Sequence, residues 1–313
     1  MIRALVSPRR DWRRAAEGPI LVGVPNTLGH FGVQGVATRV LVRDAAPRWI
    51  ALGCVLPDVP WIGRRAVMAL APGVDAFDLR LYAAVQSSLL FSLLLAGALA
   101  LLARRALHVA AILALNCLLH LLLDACEKKW GNGVMLGAPF DWTVWNAGFF
   151  WAEEWPTLLL TLLGLGWIAW AWRRAGGGFA RPPAPRLAAC AALLGAWALV
   201  PLALIDDAGA AGVHFVEVLR EPEPGDAVEL DRDDLVYGDE GPRIVTWART
   251  SLETDLKDHP ARADVVSVKG RFREGPVLEV DRIHHHGGRG RDVGSYVGLA
   301  LLAALWVRGL RNR

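Results

Sequence analysis

Hydrophobic and polar positions fall into long blocks along this chain, and the blocks differ in period. Leu81–Leu102 and Ala106–Cys126 are near-continuous apolar runs joined by Arg104-Arg105. A helix needs roughly 20 apolar residues to cross a ~30 Å hydrocarbon core, so each run predicts one crossing. Pro156–Trp172 and Leu187–Ile205 predict two more, and Val293–Val307 a shorter closing span. Residues 19–43 and 46–63 are apolar as well, but Asn26, His30, Gln34, Pro57, Asp58 and Pro60 interrupt them. They predict half-buried helices inside a bundle. From residue 206 the period shortens towards two. Val213–Val218, Asp264–Val268 and Val277–Ile283 alternate, with turn residues at Pro224-Gly225-Asp226, Gly238–Gly241 and Glu274-Gly275-Pro276 between them. That pattern predicts a small antiparallel β unit of about five strands. Within it Val265–Ile283 resembles the paired strands of an OB-type barrel.

Composition sharpens this division. Of 313 residues, 54% are hydrophobic and 21% charged, against about 45–50% and 25% in ordinary soluble domains. Disorder and a wholly soluble protein are both excluded. The net charge of +3 hides a split: residues 206–292 hold 20 acidic and 12 basic side chains, the rest 11 acidic and 22 basic. The expected fold is therefore mainly α: a polytopic transmembrane helical bundle with an extracytoplasmic OB-like β domain before the last helix. Its parts are a basic leader (1–18), the bundle (19–205), the β domain (206–292) and a closing helix with a basic tail (293–313).

Arginine placement orients the spans by the positive-inside rule. The leader, Arg104-Arg105, the Gly- and Pro-rich linker 173–186 and the tail Arg308, Arg311 and Arg313 fall on one, cytoplasmic side. Residues 206–292 then face outside a bacterial-type cytoplasmic (inner) membrane. Arg64, Arg65, Arg80, Lys128 and Lys129 are discordant with this scheme. Arg9-Arg10 has the look of a twin-arginine signal, but no cleavage site follows, so the leader is expected to be retained. The four cysteines lie in or beside apolar stretches, as small hydrophobes rather than a disulfide framework. An acidic outer domain would repel phosphate backbones, which excludes a nucleic-acid partner. The bilayer is the expected partner, and a protein ligand of the β domain is left open.

Polar groups at membrane depth are costly and need a reason. His30, Asp58, His120 and Asp124 stand out. The last two are four apart on one helix and so share a face. An imidazole and a carboxylate at that spacing can ligate one divalent cation. Equally, Asp124 could pair with Lys128 while His120 bonds a neighbouring helix. Gln86, Ser87 and Ser88 fall at the same outer level of the antiparallel span.

A set of motifs carries a family resemblance: Gly29-His30, then Gly53-Cys54-Val55-Leu56-Pro57-Asp58-Val59-Pro60, then a polar-Ser-Leu-Leu helix start, then His120-x-x-x-Asp124 and a Gly-x-x-x-x-x-Pro loop. Over residues 22–150 this resembles the YdjM-type membrane-bound metal-dependent hydrolases, the LexA-binding inner-membrane-associated hydrolase family, itself distantly similar to zinc-dependent phospholipase C. The resemblance implies His30, Asp58, His120 and Asp124 as metal ligands. It also implies a His-Arg-Gly-x-Thr-His-Ser motif, where this chain reads Tyr82–Leu89 without histidine and with Ser87 in the second histidine's place. Two imidazoles and two carboxylates suffice for one four-coordinate metal, zinc first and manganese or iron next, and weigh against a two-metal clamp.

The segment after Asp124 carries Lys128, Lys129, Trp130 and Asn132, with five tryptophans from Trp130 to Trp155. Such a segment reads as an interfacial aromatic belt, or as a lid whose Lys128, Lys129, Trp130 and Asn132 hold an amphipathic substrate. His284-His285-His286 reads as a flexible surface tract, since at most two adjacent histidines of a strand share a face. Two functions follow. One is a metal-dependent hydrolase at the outer membrane face, acting on a phosphoester or lipid, with Asp58 as base and Gln86 or Ser87 positioning water. The other is a non-catalytic membrane protein with a structural metal site, whose β domain binds a partner.

Overall fold

A computed structural model describes residues 26–71, 73–174, 182–238, 241–256, 264–273, 277–286 and 290–311. The basic leader 1–18 and residues 175–181 of the linker lie outside them. Ten helices precede the sheet: α1 (Thr27–Leu41), α2 (Pro47–Gly53), α3 (Val59–Leu70), α4 (Ala76–Ser87), α5 (Leu89–Leu101), α6 (Ala106–Cys126), α7 (Trp155–Arg173), α8 (Ala184–Leu199), α9 (Ile205–Ala210) and α10 (Val216–Arg220). Strands β1 (Ala227–Gly238), β2 (Gly241–Val245), β3 (Ser251–Thr254), β4 (Asp264–Phe272) and β5 (Val277–His286) follow, and α11 (Gly290–Arg311) closes the chain.

Among the described residues, three helical stretches are long and apolar enough to cross a membrane: Ala106–Cys126, Trp155–Arg173 and Ala184–Ala210. The run 81–102, expected as one span, qualifies only as the pair α4 and α5, bent by 66°. Ser88 sits at the break with extended backbone (φ −63°, ψ 164°), so the helical ladder stops and restarts there. α1 begins where the Asn26 side chain accepts the Gly29 amide at 2.8 Å, a satisfied N-cap. Its glycines then form a stripe against α7. A Cβ on Gly164 would stand 1.7 Å from the Leu28 carbonyl oxygen, and one on Gly32 would stand 2.7 Å from the Gly164 nitrogen. Close backbone approach through small residues is how apolar helices associate without a hydrophobic gradient. It fixes α1, and with it His30.

The strands close a barrel in the order β1-β2-β3-β5-β4. Neighbours are antiparallel except β3 and β5, which run parallel, so the sheet is not the purely antiparallel one expected. Val228, Leu230, Leu235, Ile244, Val266, Val268 and Leu278 fill its interior and are all but inaccessible. The same core continues into Leu81, Ala84, Val85, Phe91 and Met135 of the helical part. The β unit therefore packs directly on α4 and on the loop after α6.

One element differs in kind. Val213–Val218, expected as a strand, is a 3₁₀ turn followed by α10. His214 and Phe215 both take left-handed backbone at φ 54°, which no strand accommodates. Val213, Val216 and Leu219, spaced by three, are the buried apolar residues of this stretch. Its apolar spacing is helical once Phe215 is left out.

Candidate metal centre

Three elements deliver the four central side chains. His30 comes from α1, Asp58 from the 3₁₀ turn Leu56–Asp58, and His120 and Asp124 from one face of α6. Pro57 within the turn and Pro60 in the first turn of α3 fix φ on either side of Asp58, which aims Asp58 into the bundle. His30 Nε2 lies 3.3 Å from Asp124 Oδ1, and His120 Nε2 lies 3.5 Å from Asp58 Oδ1 and 3.7 Å from Asp124 Oδ2. The two imidazoles stack with centroids 4.0 Å apart and planes 14° from parallel. His30, His120 and Asp124 each offer a ligand atom within 4.8 Å of the others. Ligands about 2.0–2.1 Å from a tetrahedral zinc stand about 3.3–3.4 Å from one another. The 3.3 Å and 3.7 Å separations from Asp124 to the two imidazoles are close to such an edge, whereas Asp58, expected as a fourth ligand, meets His120 but falls outside this trio.

The outer nitrogens orient the rings. His120 Nδ1 lies 2.8 Å from the Cys54 carbonyl oxygen, so Nδ1–H donates and the Nε2 lone pair faces inward. His30 Nδ1 lies 2.8 Å from the Gln34 amide nitrogen, one helical turn on. Gln34 Oε1 and His30 Nε2 are both buried without a hydrogen-bond partner. Exchanging the amide's nitrogen and oxygen, which have nearly the same shape, lets Nδ1–H donate to Oε1 and frees Nε2 for a cation. A carbonyl or amide behind each histidine is the usual support of a metal ligand.

Charge points the same way. Asp124 meets Lys129 Nζ at 3.4 Å, and Lys129 also meets the fully buried Glu127 at 3.4 Å. Rings stacked this closely would repel as a pair of cations. A divalent ion beside the Asp124 and Asp58 carboxylates would suit a buried site of this donor set.

The centre opens on a cavity of about 30 Å³, walled among others by Asp58, Trp61, Ser87, His120, Asp124, Gly133 and His214. One water needs about 10–15 Å³, so an ion and a water fit and a lipid does not. Ser87 Oγ donates to the Ala84 carbonyl at 2.9 Å, which leaves its lone pairs for the cavity. Gln86, expected beside it, points elsewhere and donates to Tyr82 Oη at 2.9 Å and to the Trp197 carbonyl at 3.1 Å.

The expected substrate residues separate. Lys129 is buried on Asp124, not on Lys128's side of the loop. Lys128 Nζ lies 5.9 Å from the Trp151 ring. Trp130 packs edge-on to Trp151 at 5.2 Å and under Lys269. Asn132 caps the Gly133 amide at 2.9 Å. Gly131, at φ 63°, would put a Cβ 2.0 Å from the Glu229 carbonyl oxygen. This loop is thus held against β1. Trp145 and Trp155 remain 55% and 72% exposed, as an interfacial belt requires.

Two of the discordant basic residues, Arg64 and Arg80, meet the barrel at Trp247. Arg64 donates to the Trp247 carbonyl at 3.2 Å, and the Arg80 guanidinium lies 4.2 Å over the Trp247 ring. Asp233, buried beside them, has its carboxyl pushed up to about 8 by burial, with Asp231 adding to the shift.

The histidine run is not the flexible tract expected. All three histidines belong to β5 and pair with β4. His284 Nε2 meets Glu153 Oε1 at 2.5 Å, His286 Nδ1 meets it at 3.1 Å, and the His284 ring stacks on Trp151 at 3.8 Å. Glu153 comes from the loop before α7, which composition alone could not pair with β5. These three residues form a second group able to hold an ion. Arg232 Nη1 already reaches His286 Nδ1 at 2.9 Å, so a guanidinium supplies the positive charge there. Sequence reasoning also passed over His214, Gln34, Glu127 and Glu153. Only Gln34 carried a signal, its four-residue spacing from His30.

No family model, curated protein or solved structure matches this chain.

Proposed function

We propose that this chain is a membrane-bound hydrolase with one divalent metal, zinc by ligand type, held by His30, His120 and Asp124, with Asp58 beside it as the base. The reading carries over the likeness to LexA-binding inner-membrane-associated hydrolases. It places the cavity near the outer face of the cytoplasmic membrane and gives it a phosphoester or a lipid headgroup as substrate. The five-stranded unit, in the strand order of an OB-type barrel, covers that face. The observation that carries the proposal is the set of 3.3–3.7 Å separations among two imidazole nitrogens and two carboxylates.

A divalent ion there supplies Lewis-acid polarisation and a water of lowered pKa. The chain's own groups do the rest. Asp58 lies outside the tightest trio yet lines the cavity, placed to accept a proton from a water. The lone pairs of Ser87 orient that water. Lys129 holds Asp124 in its ligating rotamer.

One observation favours a second reading, in which the metal is structural. The cavity of about 30 Å³ is too small for a lipid, so catalysis on one requires the loop at Gly133–Met135 to open. Metal analysis of the purified full chain separates the outcomes. The wild type holds one equivalent and His120→Ala none. Turnover of a chromogenic phosphodiester that disappears with Asp58→Asn, at full metal content, marks the hydrolase. Full metal with no turnover on phosphoesters or phospholipid vesicles marks the structural site.

A further inference from the structure

The least explained polar group of the cavity is His214. It reaches the centre from the segment that enters the β unit, more than 80 residues beyond Asp124 in the sequence. It is 3% exposed, it lines the cavity with Asp58, His120 and Asp124, and neither ring nitrogen has a hydrogen-bond partner. The Gly133 backbone approaches the ring without completing a bond of good geometry. Its own backbone is left-handed at φ 54°, as is that of Phe215. Such conformations are strained at non-glycine residues and persist where the surroundings over-determine them, typically at functional sites. A buried orphan imidazole on a strained backbone is a donor kept for something that is not protein.

The surroundings define its class. The His214 ring packs 5.9 Å from Trp61, another cavity wall, and the Arg80 guanidinium stands 5.7 Å from the same indole. Burial first, then the charge of Arg80, with Lys129 and Arg64 contributing, holds the imidazole well below its ordinary range. The cavity is therefore two-sided, with carboxylates and metal-ligand geometry on the α6 side and a positive field on the His214 side. A ligand with several anionic oxygens bridges the two.

We propose that His214 is the ligand-contacting donor of this cavity, hydrogen-bonding an oxygen of a phosphoryl group seated against His120 and Asp124. The inference rests on the metal-centre reading above and adds the ligand class and the residue that recognises it. The full-length chain in detergent, loaded with cobalt(II), reports both through its visible bands. Inorganic phosphate and a short-chain phosphatidic acid are titrated separately. The wild type binds one cobalt, and its bands shift with phosphate, with phosphatidic acid, or with both. A response to the lipid alone identifies a headgroup site, and a response to free phosphate a small-anion site. His214→Leu keeps the cobalt and weakens that response at least tenfold. His214→Asn, which suits left-handed backbone and retains a donor, falls between. Phosphoryl binding unchanged in His214→Leu at full cobalt overturns the inference and leaves the metal centre standing. Absence of any response in the cobalt-loaded wild type does the same. Loss of cobalt from both variants overturns it too, because His214 would then be holding metal. A wild type that binds no cobalt overturns the metal centre and the inference with it.

Discussion

The pair His30 and Gln34 shows how one side chain prepares another. An imidazole can ligate a metal through Nε2 only if Nδ1 carries the proton, and Gln34 is the group that decides this by its 2.8 Å contact. Gln34→Leu keeps the volume near that of glutamine and removes the acceptor. It should weaken metal affinity by about 10–100-fold, the usual cost of losing such a support. Competition with a chromophoric chelator measures this. His120→Ala, by contrast, should abolish stoichiometric binding, since it deletes the nitrogen that meets both carboxylates.

At the scale of elements, the site depends on how closely α1 and α7 approach. Leu28 packs its carbonyl against Gly164, two residues before His30. Gly164→Val would force the helices apart. It should cost about 1–3 kcal/mol, the range for overpacking a fitted contact, and lower metal occupancy although residue 164 touches no ligand. Gly166→Val is the control, because a Cβ there meets nothing within 4 Å. Thermal unfolding in detergent with metal analysis reads both. A Gly164→Val protein that keeps wild-type metal would show that α1 is positioned by other contacts.

For the whole molecule, the helical part and the β unit are joined by a shared core and by polar clasps. Glu153 to His284 and His286 is one clasp, and Arg64 and Arg80 to Trp247 another. Burial alone would raise the Glu153 carboxyl, but hydrogen bonds from His286 and His284 outweigh that and hold it at about 2. A depressed carboxylate contributes stability above its ordinary value of 4.5 and loses it as pH falls towards 2. Glu153→Gln should therefore lower stability by about 1 kcal/mol at pH 7, a figure reduced for its partial exposure. It should match the wild type at pH 2, which denaturant titration at the two values compares. Sidedness is tested separately. A reporter fused after Pro183 should be active in the cytoplasm, and one fused after Gly241 outside. The reverse pattern would put the cavity on the cytoplasmic side.

The apolar runs made the long apolar helices over 106–126, 156–172 and 187–205 legible without coordinates, because burial in hydrocarbon or in a helix core imposes the same continuous pattern on local sequence. The charge split marked off the β unit, and the i, i+4 spacing placed His120 and Asp124 on one face. Each of these is a short-range property. The bend at Ser88 and the left-handed pair His214-Phe215 were not legible, because Ser, His and Phe carry no strong signal for those backbones and only packing imposes them. Nor were the clasps of Glu153 and of Arg64, whose partners lie more than 100 residues away. That His30 meets Asp124 at all was decided by a glycine stripe closing α1 onto α7, a contact whose strength depends on both helices being present at once.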